Sequence, residues 1–103
     1  MANACRRSAA RRPAVDGREV MIASEPGGFW LGATQFDRVD PSVSIYADEI
    51  CGPVLCVARV DSYPEALAMV HRHPFGNGTA IFTRDGGAAR RFQHEVEVGM
   101  VGI

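Results

Sequence analysis

Gly52-Pro53-Val54-Leu55-Cys56-Val57-Ala58 and, shortly after it, Ser62-Tyr63-Pro64-Glu65-Ala66-Leu67-Ala68-Met69-Val70 decide how this chain folds. The first is a continuous apolar run with β-branched residues behind a Gly-Pro breaker, the pattern of a strand buried on both faces, and such strands belong mostly to parallel sheets. The second opens with a capping box, Ser62-x-x-Glu65, and places Tyr63, Ala66, Leu67 and Val70 on one helical face. The helix should stop before His73-Pro74, because a residue preceding proline is pushed out of the helical region.

Downstream, Phe75-Gly76-Asn77-Gly78 supplies turn chemistry and Thr79 to Thr83 reads as a short strand. Asp85 can cap a second helix whose apolar face is Ala88, Ala89, Phe92 and Val96. Gly99-Met100-Val101-Gly102-Ile103 begins another strand. The order from Gly52 is therefore β-α-β-α-β, an α/β three-layer unit with a mostly parallel sheet. Its last strand stands at the C-terminus with no return element to cover it, so the unit reads as truncated.

Upstream, Val15-Asp16-Gly17-Arg18 reads as a turn and Glu25-Pro26-Gly27-Gly28 as a stronger one. Phe29 to Val39 alternates as an extended segment, with Phe29, Leu31, Ala33 and Gln35 on one face and Trp30, Thr34 and Phe36 on the other. Asp40-Pro41 ends it. Residues 1–13, rich in Ala and Arg and free of acids, read as a disordered leader, and an Arg-rich start of this kind also has some likeness to a transit peptide. Residues 14–103 form the folded part.

Composition narrows the function. The 103 residues are 47% hydrophobic and 22% charged, with a formal net charge of -1. That is the balance of a soluble globular domain, and no apolar run is long enough to span a membrane. Four arginines, Arg6, Arg7, Arg11 and Arg12, lie in the leader; the rest carries seven against twelve acids. An acidic body does not suit nucleic-acid phosphates. The chain has no lysine, which excludes Schiff-base chemistry and a phosphate-binding loop lysine. Three cysteines, Cys5, Cys51 and Cys56, form neither an even framework nor a CxxC pair, so a reducing cytoplasmic compartment is expected.

Residue spacing bears on four candidate chemistries. Cys51 and Cys56 with His71 and His73 could suggest a metal, but the side chains diverge: a five-residue offset along a strand reverses the face, and i, i+2 on a helix points about 200° apart. A nucleophilic Cys51 served by His94 lacks any spacing that joins them, and the neighbouring acids Asp48 and Glu49 are not the electropositive surroundings a thiolate needs. Thr83-Arg84-Asp85-Gly86-Gly87 could pass for a phosphate loop, yet a carboxylate at the cap takes the place an anion would need. Asp48-Glu49, at the mouth of the buried strand, is either a solvated loop pair or an acceptor for vicinal sugar hydroxyls.

Asp48-Glu49-Ile50-Cys51-Gly52-Pro53-Val54-Leu55 resembles the E-I-F-G-P-V motif of aldehyde dehydrogenases. Gly28-Phe29-Trp30-Leu31-Gly32-Ala33-Thr34, Tyr63-Pro64-Glu65-Ala66-Leu67, Phe75-Gly76-Asn77-Gly78 and Gly99-Met100-Val101-Gly102 resemble further blocks of that family, in order. The phrases HPFGNGTAIFT and EVGMVGI resemble its CoA-acylating methylmalonate-semialdehyde branch. The resemblance implies part of a catalytic domain and an NAD-dependent oxidoreductase that converts (methyl)malonate semialdehyde to an acyl group passed to coenzyme A.

It also implies that Glu49 holds the nicotinamide ribose hydroxyls of NAD. Cys51 stands where the family has Phe, a departure beside this one cofactor contact. The family's nucleophile, general base and dinucleotide-binding domain precede the matched region, so the chain alone is expected to be inactive, with no catalytic residue and no metal ligand of its own. The alternative is a non-catalytic interaction module that docks on a full-length dehydrogenase subunit through its open strand.

Overall fold

Strand formation at Val54 follows from the Gly52-Pro53 breaker as expected, but the strand's partner lies before it in the chain. In the computed structural model, which describes residues 13–103, the elements in order are β1 (Thr34–Asp37), α1 (Ser44–Ala47), β2 (Val54–Val57), α2 (Tyr63–Arg72), β3 (Gly78–Ala80), α3 (Gly86–Glu95) and β4 (Met100–Gly102). The expected leader lies outside the described residues apart from Pro13. Two compact units divide the chain, one ending at Arg59 and the other running Val60–Ile103.

In the first unit β1 and β2 run parallel, in register from Thr34 opposite Val54 to Asp37 opposite Val57. Alternate residues of a strand bond to alternate sides, so Thr34 N–H donates to Pro53 O (2.9 Å) while Gln35 exchanges bonds with Val15 on the opposite edge. Thr34 is buried, and its hydroxyl accepts from Gly17 N–H at 3.1 Å, which satisfies both groups. Phe36 and Ile45 are the buried apolar side chains of this unit.

The second unit is built on β3 and β4, parallel from Gly78 opposite Met100 to Ala80 opposite Gly102, with α3 as the connection. Ser62 caps α2 by accepting from Glu65 N–H, while the Glu65 carboxylate reaches back to Asp61 N–H, one residue before the partner a strict capping box would use. The helix ends at His73, whose extended conformation (φ -70°, ψ 135°) is the one a residue before proline prefers. Asp85 caps α3 through Gly87 N–H (2.8 Å) and Ala88 N–H (3.2 Å), and Phe92 and Val96 are buried on its apolar face.

The α/β class, the element order from Gly52 and the parallel pairing agree with the sequence reading. The strands, however, are shared between two parallel pairs, β1-β2 and β3-β4, instead of one three-stranded sheet. Three local readings also change. Phe29 to Ala33 is not strand: Trp30 Nε1–H donates to Glu25 O at 2.8 Å, turns at Glu25 and Gly28 use the nearby amides, and Phe29 is fully exposed. Only Thr34–Asp37 finds a ladder partner. The strand expected over Thr79 to Thr83 is Gly78–Ala80, since the partner β4 offers three residues. Finally, β2 is not buried on both faces: Leu55 is 59% exposed, because the chain covers one side of this pair only. Among the described residues no helix is long and apolar enough to cross a membrane.

Candidate functional site

Glu49 sits in the loop that joins α1 to β2, and each end of that loop is tied by the backbone. Asp48 N–H donates to Ser44 O (2.8 Å), which closes the single turn of α1. At the far end Val54 N–H reaches Gly52 O (2.7 Å) across Pro53, and Pro53 O takes the Thr34 amide. Between these ties Glu49 is exposed, so its carboxylate stands in solvent as an acceptor-only group suited to hydroxyl donors.

Cys51 has φ 49°, in the left-handed region that a residue with a Cβ seldom enters, at a cost of about 1–2 kcal/mol. The chain needs that turn to pass from the Glu49 loop into Gly52-Pro53 and β2. Cys51 lies three residues before β2, and its backbone could not be foreseen from sequence, because the usual signal for a positive φ is Gly or Asn.

The other candidates are dispersed. Cys51 is exposed and Cys56 half-buried, and burial pushes the Cys56 thiol pKa up, away from the reactive thiolate. Cys56 Sγ instead lies 3.7 Å from Ile45 O, to which its S–H donates. His71 Nε2 accepts from Glu97 N–H and His73 Nδ1 from Phe75 N–H, both at 3.2 Å, so each imidazole serves a loop. His94 is an exposed residue of α3. Among the described residues no group of three or more His, Cys, Asp or Glu side chains could hold a metal ion. Asp85 is occupied as a cap, as its position before Gly86 and Gly87 implied.

Two features were missed. An open apolar groove of about 380 Å³ lies on the uncovered side of β1 and β2, lined by Val15, Ala33, Gln35, Pro53 and Leu55 among others. Its signal in the sequence is the alternation of Ala33 and Gln35 with the buried Thr34 and Phe36, and Leu55 joins that face only through pairing with Gln35. In the second unit Tyr63 O–H donates to Glu95 Oε2 (3.0 Å), Arg91 Nε–H donates to Glu95 Oε1 (3.2 Å), and the guanidinium lies 4.7 Å from the Tyr63 ring centroid. The Arg91 and Tyr63 bonds hold the Glu95 carboxyl below its ordinary range, while desolvation and Glu95 raise the Tyr63 phenol. This cluster ties the first turn of α2 to the last of α3.

Comparison with known proteins gives one consistent answer. The aldehyde dehydrogenase family model matches residues 5–103. A malonate-semialdehyde dehydrogenase of Pseudomonas aeruginosa is 57% identical over 89 residues, which is 86% of this chain and 18% of that protein. The crystal structure of a methylmalonate-semialdehyde dehydrogenase (DddC) from Oceanimonas doudoroffii superimposes with a TM-score of 0.87 at 44% identity, over 99% of this chain and 21% of that one. A Mycobacterium tuberculosis aldehyde dehydrogenase complexed with NAD+ gives 0.78 at 26% identity, over 89% and 19%. The chain thus spans about a fifth of the length of the relatives it matches.

Proposed function

The chain belongs to the aldehyde dehydrogenase family, and on that premise we propose that it is the nicotinamide-ribose-contacting part of a catalytic domain of the CoA-acylating, (methyl)malonate-semialdehyde type. Glu49 is the contact: an exposed carboxylate, held by the α1 turn on one side and the Gly52-Pro53 turn on the other, can accept hydrogen bonds from both hydroxyls of a ribose. NAD, when bound, supplies the hydride acceptor. What this chain supplies is the orientation of the ribose.

By itself the chain does not turn over. A thiol nucleophile needs a depressed pKa, and burial acts on Cys56 in the opposite sense. The rest of the reaction, including transfer of the acyl group to coenzyme A, belongs to segments of the relatives that this chain does not match. The folded part, residues 14–103, acts in the cytoplasm as one contributor to that larger site. The purified chain, given malonate semialdehyde, NAD and coenzyme A, should form no NADH. Steady NADH formation overturns this reading.

A second reading has its own support. On and beside the strand β4, Met100 and Ile103 are 63% and 69% exposed, which suits a non-catalytic module that docks on a full-length dehydrogenase subunit through that strand. Co-purification with such a subunit favours it, and elution as a lone monomer in the subunit's presence counts against it.

A further inference from the structure

We propose that Cys56 is a positioning residue for Glu49, acting through the carbonyl of Ile45. The inference rests on Glu49 being the ribose contact. Its basis is the weakness of α1, which has four residues, no side-chain N-cap at Val43, no acid in its first turn and no base in its last. A single turn of this kind has no stability of its own, because nucleation fixes several residues for one hydrogen bond. It therefore depends on outside contacts, and two of them are made by Ile45. The Ile45 side chain is buried, and its carbonyl, one of those a helix end leaves without a partner, takes the S–H of Cys56 on β2 at 3.7 Å.

Glu49 follows α1 by two residues, and the Asp48 amide beside it is bonded to Ser44 O only while the turn exists. Cys56 therefore fixes where the Glu49 loop leaves the helix, while Pro53 and Val54 fix where it enters β2. The protonated thiol is the form this role requires, and burial favours it.

Amide hydrogen exchange on the full chain tests this, read at Asp48 and Tyr46 in the α1 turn, with the Gln35 amide, bonded to Val15 O in the same unit, as the reference for folding of that unit. In Cys56→Ala the Asp48 and Tyr46 amides should exchange about threefold faster while Gln35 is unchanged, the size of effect expected from loss of a weak donor. Cys56→Ser, which keeps a donor, should restore most of the protection. Unchanged α1 exchange in Cys56→Ala, or no rescue by serine, overturns the proposal. If alanine unfolds the chain, the comparison of serine with valine decides the same point. The ribose reading is tested separately by saturation-transfer NMR with millimolar NAD. Loss of the ribose signal in Glu49→Gln supports it, and an equal signal defeats the reading while leaving the exchange result to stand on its own.

Discussion

The Asp37 carboxylate and the Arg59 guanidinium, 22 residues apart in sequence, meet as a two-bonded pair, Nε to Oδ1 at 3.0 Å and Nη2 to Oδ2 at 2.8 Å. Asp37 is the last residue of β1 and Arg59 lies two beyond β2, so the pair closes the end of a parallel ladder that has only four residues a side. Arg38 enters the left-handed region at φ 55° directly after Asp37, and its amide donates to the same carboxylate. The Arg59 bonds, followed by the Arg38 amide, hold the Asp37 carboxyl below its ordinary range.

A sign follows for pH. A carboxyl whose folded pKa lies below its unfolded value contributes stability that is present above the unfolded value and is lost as pH falls through the folded one. The Asp37 contribution should be whole at neutral pH and fade below about pH 4. Arg59→Gln should lower the melting temperature at pH 7, and the gap to the parent chain should narrow progressively in melts taken below about pH 4. The side chains are exposed, so the effect is small. A gap independent of pH would mean that Arg59 acts by packing alone.

Gly17 makes the sharpest packing prediction. A Cβ there would run into the backbone of Gly32 and come within 2.6 Å of Ala33 O, and neither is the movable end of a side chain. Gly17→Ala must also disturb the Gly17 amide that satisfies the buried Thr34 hydroxyl. A loss of about 1–3 kcal/mol is expected from a denaturant titration. Gly27→Ala, where nothing lies within 4 Å, is the matched control and should change little.

Phe92 is one of the buried apolar side chains of the second unit, with Val96 one turn later. Truncation to alanine in a well-packed core costs about 3–5 kcal/mol, comparable to the whole stability of a unit this small. Phe92→Ala should therefore abolish cooperative melting of the second unit by circular dichroism. A cooperative melt shifted by only a few degrees would show that this core contributes less than its burial implies.

How much of this was legible beforehand depended on whether the deciding interaction was local. Both helix caps, Ser62 and Asp85, and both apolar faces could be read, since capping and periodicity are carried by neighbours in the chain. The partner of β2 could not, because pairing of Thr34 with Val54 leaves no mark at either position. The extended reading of Phe29 failed for the same reason: alternation permits a strand, but the Trp30 indole bond to Glu25 O decided the path. Glu49 is a candidate only through its motif, and the two backbone ties of its loop are visible only in three dimensions.

Cys51 allows a test of whether the Glu49 loop stores strain. At φ 49° a residue with a Cβ is disfavoured, whereas glycine enters that region freely. Cys51→Gly removes the steric cost of about 1–2 kcal/mol but gives the unfolded chain more freedom, which offsets part of the gain. The net expectation is a stabilisation of about 0.5–1 kcal/mol, read as a higher denaturation midpoint with an unchanged slope. Cys51 is exposed, so little packing is lost to obscure the comparison. Cys51→Val, with a branched Cβ in the same conformation, should shift the midpoint the other way. If glycine and valine behave alike, the loop relaxes away from the left-handed conformation in solution, and Glu49 is held by its flanking ties at Ser44 and Pro53 alone.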